Sequence, residues 1–178
     1  MGTPTEPKPV KYFVALLFSD ASLVTAVEND LTELLGAVDG RSELIPWAAS
    51  KFYEQEMGLS LRRCFLSFAA LRSPAELAAI KLRTQQLEAR YRDAVSNGRR
   101  VNLDPGYLDG FKVVLASTKN AGQRIYLDGG IYGEATLMYY EGGFHGLPYT
   151  YPDYLWAETL DFMTRLRAVY LVQLRQAG

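Results

Sequence analysis

Charged and hydrogen-bonding side chains crowd into one part of an otherwise apolar-patterned sequence. Arg99, Arg100, Asn102, Asp104 and Tyr107 surround a Pro105-Gly106 pair, and Lys119, Arg124, Tyr126, Tyr132 and Glu134 follow soon after. Guanidinium forks bind phosphate and carboxylate groups in bidentate fashion. Arg99, Arg100, Lys119 and Arg124 could therefore converge on an anion, and polar groups at a bend on a rigid scaffold are common material for binding sites. The competing role is surface charge, or pairing with Asp104 and Glu134. Asn102 and Asp104 share strand parity and could face one pocket, although Asn and Asp before Pro-Gly also build turns.

Other chemistries find less material. Asp104 and Glu134 could act as a carboxylate pair in acid/base work or hold Mg²⁺ for a metal-assisted hydrolase. No spaced acidic loop accompanies them, and ion pairing is the plainer role. Tyr107, Tyr126 and Tyr132 could stack on bases, but the basic-aromatic strand motif of RNA-binding sheets is missing. Core and hairpin packing is their ordinary use. His145 lies in a glycine-flanked loop and reads as an exposed residue, and Cys64, between Arg63 and Phe65 in a strand, as a small buried hydrophobe. One cysteine and one histidine cannot make a four-ligand zinc cage. No nucleophile elbow, Walker loop or dinucleotide fingerprint occurs.

Composition sets the frame. The chain has 178 residues, 48% hydrophobic and 22% charged, with a net charge of −1, which suits one globular domain with a substantial core. Near-zero charge argues against a nucleic-acid partner held by a global basic field, so any phosphate recognition must be local. The single cysteine excludes an intrachain disulfide and suits a reducing cytoplasmic setting. No apolar run approaches a membrane span. Residues 1–10, rich in Pro, Thr and charge, read as a flexible tail without the features of a signal peptide; residues 11–178 read as a single α+β domain.

Periodicity supplies the elements that must position these residues. The run Lys11 to Phe18 is nearly all apolar and predicts a strand covered on both faces. Asp20 offers a cap, Leu23, Val27, Leu31 and Leu34 recur at helical spacing, and Gly36 supplies the stop. A second strand is expected within Arg41–Trp47 and a short helical turn before Gly58. A third strand, Leu61 to Phe68, should point Cys64, Leu66 and Phe68 one way and Arg63, Phe65 and Ser67 the other. Ser73-Pro74-Ala75-Glu76 is a capping box with proline at the first helical position. Its helix should carry Leu77, Ile80, Thr84, Leu87, Tyr91 and Val95 on one side. A fourth strand at Arg100–Leu103 completes β-α-β-β-α-β, the ferredoxin-like (split βαβ) arrangement of an antiparallel sheet.

The C-terminal extension is expected to contain a helix over Leu108–Lys119, a β-hairpin and a long helix. The long helix should run from about Tyr151 to Gln173, burying Leu155, Phe162, Leu166, Val169 and Tyr170. It should cover the sheet face that the early helices leave open. The hairpin turns at Asp128-Gly129-Gly130. Read as a three-residue loop, it puts Leu127 opposite Ile131, Tyr126 opposite Tyr132, Ile125 opposite Gly133 and Arg124 opposite Glu134. Alternation then places Arg124, Tyr126, Tyr132, Glu134 and Thr136 on one face and Ile125, Leu127, Ile131, Ala135 and Leu137 on the other.

Several ordered phrases stand out together: Phe52-Tyr53 with Glu56-Met57-Gly58, Arg63 to Phe68, Arg100 to Leu108, Leu115 to Lys119, Arg124 to Leu127, Gly130-Ile131-Tyr132 and Tyr149 to Tyr154. On these the chain resembles an uncharacterised bacterial group, domain-of-unknown-function family 4416, over nearly its whole length after the tail. The resemblance implies no activity, cofactor or catalytic residue. It does imply a histidine where this chain has Gln123, which speaks against histidine chemistry there. The expected function is recognition of a phosphate-bearing small molecule, a nucleotide being one candidate, through Arg99, Arg100, Asn102, Asp104, Tyr107, Lys119, Arg124, Tyr126, Tyr132 and Glu134. A non-catalytic interaction module, such as a homodimer through the C-terminal hairpin and helix, is the alternative from another class.

Overall fold

In a computed structural model, which describes residues 2–176, the first strand is buried from end to end. β1 (Val10–Phe18) is shielded along all its length, as a nearly all-apolar run requires. Its alternate residues belong to two different cores. Val10, Tyr12, Val14, Leu16 and Phe18 face α1 (Val24–Leu35) and α3 (Leu77–Arg90), whose Val27, Leu31, Leu77 and Ile80 fill the layer between. Phe13 and Ala15 face α4 (Ala157–Gln176), which contributes Phe162, Met163, Leu166 and Tyr170. A three-layer α+β packing results, with the Phe65 and Phe162 rings stacked 5.5 Å apart at the α4 layer. The expected tail includes Met1, and the expected domain Ala177 and Gly178, which lie outside the described residues.

The remaining elements are β2 (Val38–Arg41), β3 (Ile45–Pro46), α2 (Glu54–Met57), β4 (Arg62–Arg72), β5 (Val101–Leu108), β6 (Lys112–Ser117), β7 (Ile125–Asp128), β8 (Ile131–Tyr140) and β9 (Gly143–Gly146). They build a nine-stranded sheet in the order β2-β4-β1-β5-β6-β8-β7, with β3 beside β4 and β9 beside β8. Among the described residues the strand pairings are all antiparallel. Local signals act where the sequence places them. Asp20 accepts a hydrogen bond from the Ser22 amide, Gly36 ends α1 at φ 94°, and Ser73 and Glu76 close the capping box before α3.

Several expectations need correction. Leu108–Lys119 is not a helix. Leu108 ends β5, Asp109 turns the chain by accepting from the Phe111 and Lys112 amides, and β6 follows. Helical spacing loses here because β6 lies between two cores: Val114 and Ala116 fill one, Val113 and Leu115 the other. Two buried faces favour a strand of β-branched and small residues. The helix after the capping box ends at Arg90, and Val95 is exposed in a turn tied by the Asp93 side chain. The C-terminal segment begins as a 3-10 turn, Pro152–Leu155, and Trp156 breaks it with an extended conformation. Leu155 is exposed in consequence, and Val169 is exposed because the buried stripe of α4 follows Phe162, Leu166 and Tyr170 at four-residue spacing. The second strand divides into β2 and β3, both against β4.

The Pro105-Gly106 pair is not a turn but lies inside β5. Proline is tolerated because β6 joins β5 only from Gly106 onward, pairing Gly106, Tyr107 and Leu108 with Leu115, Val114 and Val113. Glycine is needed because a Cβ there would lie 2.7 Å from the Val114 carbonyl oxygen and from Phe13 and Leu115 side-chain atoms. Gly106→Ala should therefore cost about 2 kcal/mol by forcing backbone and core side chains apart. Urea unfolding is the measurement, and an unchanged midpoint would contradict that account.

The hairpin also differs in one detail. Ile125 pairs with Gly133 and Tyr126 with Tyr132 as the three-residue loop requires, but Asp128 pairs with Ile131 and Leu127 is a bulge. The loop itself is Gly129-Gly130, both at positive φ (55° and 79°), the conformation of a tight primed turn. The bulge restores the register that a two-residue loop would otherwise shift. A second irregularity, in the β8 pairing with β6, lies between Ala135 and Leu137. Ile131 consequently packs in the α1/α3 core and Leu137 in the α4 core, so the expected single apolar face does not exist.

Candidate functional site

β5 and β6 are paired over only three residues and then separate, and a cleft of about 630 Å³ opens where they part. The exposed β5 edge would leave the Leu103 amide and carbonyl without ladder partners. Two buried side chains of α3 supply them: Glu88 accepts from the Leu103 N–H at 2.6 Å, and the Lys81 ammonium donates to the Leu103 carbonyl at 2.9 Å. Lys81 also reaches Asp104 at 3.0 Å. The sheet is thus held open by side chains that replace main-chain hydrogen bonds. Burial raises the Glu88 carboxyl above its ordinary range, with Lys81 and the Leu103 amide opposing.

β4 contributes Arg63 to the floor. Alternation puts Arg63 on the face of Phe65, and the neighbouring β1 residue is Leu17, so its guanidinium is almost wholly buried. It stands 4.8 Å over the Trp47 ring, 2.9 Å from Asp153 and 3.9 Å from Asp104. Asp153 and Tyr154 are brought there by the 3-10 turn preceding α4, where Thr159 donates to the Asp153 carbonyl at 2.7 Å. Burial pushes the Asp153 carboxyl up despite Arg63 beside it. At Asp104 burial has the same tendency, but Lys81 and Arg63 outweigh it and hold the carboxyl low. The Arg63–Asp153 contact, from Nη2 to Oδ2, is a buried ion pair. Arg63 Nε and Nη1, Asp153 Oδ2 and the Tyr154 hydroxyl are all buried with no hydrogen-bond partner among the described residues. Buried polar atoms are normally satisfied. Three such residues, Arg63, Asp153 and Tyr154, meet in this one cleft.

The residues singled out from sequence divide between this cleft and other surfaces. Arg99, Asn102, Asp104, Lys119, Arg124 and Glu134 line it. Arg99 is bound to Glu56 at 2.7 Å and to Asn102 at 2.6 Å, while Asn102 donates to Asp104 at 2.6 Å. Arg124 pairs with Glu134 at 2.9 Å, donates to the Lys119 carbonyl and the Tyr151 hydroxyl, and leaves Glu134 to accept also from Gln123. Lys119 stands at the mouth, 5.3 Å over the Phe52 ring. The other four cationic side chains of the cleft have carboxylate partners; Lys119 has none among the described residues.

Arg100 pairs with Asp20 away from the cleft. Tyr107 packs edge-on against Tyr12, and Tyr126 against Tyr132 on the outer hairpin. His145 stacks on Tyr140, half-buried rather than exposed. Cys64 is buried, and burial pushes its thiol up to about 11, an inert state. Asp104 and Glu134 are each engaged by cations, and no group of three or more His, Cys, Asp or Glu among the described residues could hold a metal ion. No helix of the described residues is long and apolar enough to cross a membrane.

Sequence reasoning missed Arg63, Lys81, Glu88, Asp153, Tyr154 and the aromatic wall of Trp47, Phe52 and Tyr53. One signal was available: a charged Arg63 in phase with Phe65 on a strand face that a helix must cover. Lys81 and Glu88 share a similar signature, lying seven residues apart beside the apolar stripe of α3.

Fold and cleft together define an α+β protein with a polar, aromatic-walled cavity at a split in its sheet. The chain matches the family model described as "Domain of unknown function (DUF4416)" over residues 8–170, and it belongs to that family. No curated protein and no solved structure matches it.

Proposed function

We propose that the protein is a binding protein or enzyme that recognises a phosphate-bearing small molecule, with a nucleotide as the candidate ligand, in the cleft between β5 and β6. The observation that carries this reading is donor capacity left over after internal pairing: the buried Arg63 N–H groups and the exposed Lys119 ammonium. Cavity size falls in the range typical of small-molecule sites, and aromatic side chains with a few placed polar groups are their usual lining. A thermal-shift screen with nucleotides and sugar phosphates tests it. A ligand at one hundred times its Kd should raise Tm by roughly 5–10 °C. No shift from any phosphate compound would refute the reading.

The ferredoxin-like reading of residues 10–108 belongs with this proposal and is supported by the order β2-β4-β1-β5 with antiparallel neighbours. A homodimer is a second reading, favoured by one observation: the outer strand β7 exposes Ile125, Tyr126 and Leu127 in a row. Exposed apolar edge strands are templates for pairing with another chain. Light scattering showing a monomer at micromolar concentration would end it.

A further inference from the structure

The cleft floor and the cleft mouth offer different chemistry. Arg63 has Asp153 at 2.9 Å and Asp104 at 3.9 Å, so its charge is already balanced. A phosphate dianion placed against it would also meet both carboxylates. What the floor lacks is hydrogen bonds, not charge: two N–H donors on Arg63, an acceptor at Asp153 Oδ2 and the Tyr154 hydroxyl, which can do either. A ligand group that satisfies all of them must be uncharged and must present acceptors and an N–H donor side by side. The wall above is aromatic, with Trp47 edge-on to Tyr53 and Tyr53 edge-on to Phe52, ring centroids 5.9 and 5.1 Å apart. At the mouth the requirement reverses, because Lys119 offers a positive charge that no carboxylate among the described residues balances.

Resting on the proposed recognition of a phosphate-bearing ligand, we propose that the ligand enters base first: the hydrogen-bonding edge of a nucleobase occupies the floor formed by Arg63, Asp153 and Tyr154, and its phosphate stays at the mouth beside Lys119. Nucleobase edges carry adjacent acceptors and donors on a flat ring that stacks on aromatic side chains. The geometry thereby assigns specificity to three residues outside the polar stretch 99–134 and leaves Lys119 as the phosphate contact.

Isothermal titration of the intact chain tests the assignment with three probes: uncharged nucleosides, nucleoside monophosphates and ribose 5-phosphate. At least one nucleoside should bind, its monophosphate about tenfold more tightly, and ribose 5-phosphate far more weakly than either. Lys119→Ala should abolish the difference between nucleoside and monophosphate. Tyr154→Phe removes a hydroxyl with no internal partner, so Tm should hold or rise while nucleoside affinity falls about fivefold. That variant keeps the test valid if Arg63 or Asp153 substitutions fail to fold. Ribose 5-phosphate binding as well as the monophosphate, with no nucleoside binding, would overturn base-first entry and leave phosphate recognition standing. Nucleosides binding as tightly as monophosphates would overturn the phosphate reading and the Lys119 assignment while leaving the floor. Absence of binding by all three would overturn both.

Discussion

Arg63→Met is expected to destabilise the protein by about 3–5 kcal/mol, because it strands the buried Asp153 carboxylate, whose only cation among the described residues is removed. Asp153 keeps only 3% of its side-chain exposure, and Arg63 5%. Methionine preserves much of the volume and the contact with Trp47, so packing loss is minor beside the electrostatic one. The cost should depend on pH in a defined sense. The folded-state Asp153 carboxyl already lies above its ordinary value through burial. A carboxyl raised on folding costs nothing while both states are protonated, and the cost accrues as pH rises from the unfolded to the folded value. Losing Arg63 raises the folded value further, so the deficit against the parent protein should be larger at about pH 8 than at about pH 5. Urea melts at the two values decide it. Equal deficits would mean that Asp153 is not the group left unpaired.

Glu134→Ala should be comparably damaging, about 3–5 kcal/mol, since the side chains of Arg124 and Glu134 keep only 4% and 2% of their exposure. Arg124 would lose its main acceptor while still tied to the Lys119 carbonyl and Tyr151. A double replacement, Arg124→Met with Glu134→Leu, removes both charges and should recover most of that loss, as buried pairs exchanged for apolar groups often do. A double-mutant cycle on thermal or urea stability measures the coupling directly. If the two single losses simply add, the pair is not the structural unit described. Because the pair consumes the charge of Arg124, nucleotide affinity in the double variant should change far less than in Lys119→Ala.

Much of the architecture was legible because local physics dictates it. The nearly all-apolar run of β1 required cover on both faces, and the Ser73–Glu76 capping box fixed the start of α3 through bonds between near neighbours. Facing residues Tyr126 and Tyr132 followed from strand parity, as did the two sides of β4. Even the Arg124–Glu134 contact could be counted along the hairpin. Each of these depends on residues close in sequence, or on a periodicity that names a face.

Only the tertiary structure decided the rest. Helical spacing at Leu108, Phe111 and Leu115 yielded to β6, since a segment wedged between two cores is ruled by burial on both sides. Lys11 heads an apolar run, yet it is fully buried because Asp39, the Phe68 carbonyl and Gln173, remote in sequence, all accept from its ammonium. Pro105-Gly106 carried every local sign of a turn. It became the place where β5 parts from β6, because Val114 and Phe13 approach too closely for any side chain and the β5 edge beyond it finds partners on α3. The cleft arises from that separation. Its floor joins Arg63 of β4 to Asp153 and Tyr154 of the turn before α4, ninety residues away in sequence, and no spacing rule connects groups whose proximity is set by how three layers pack.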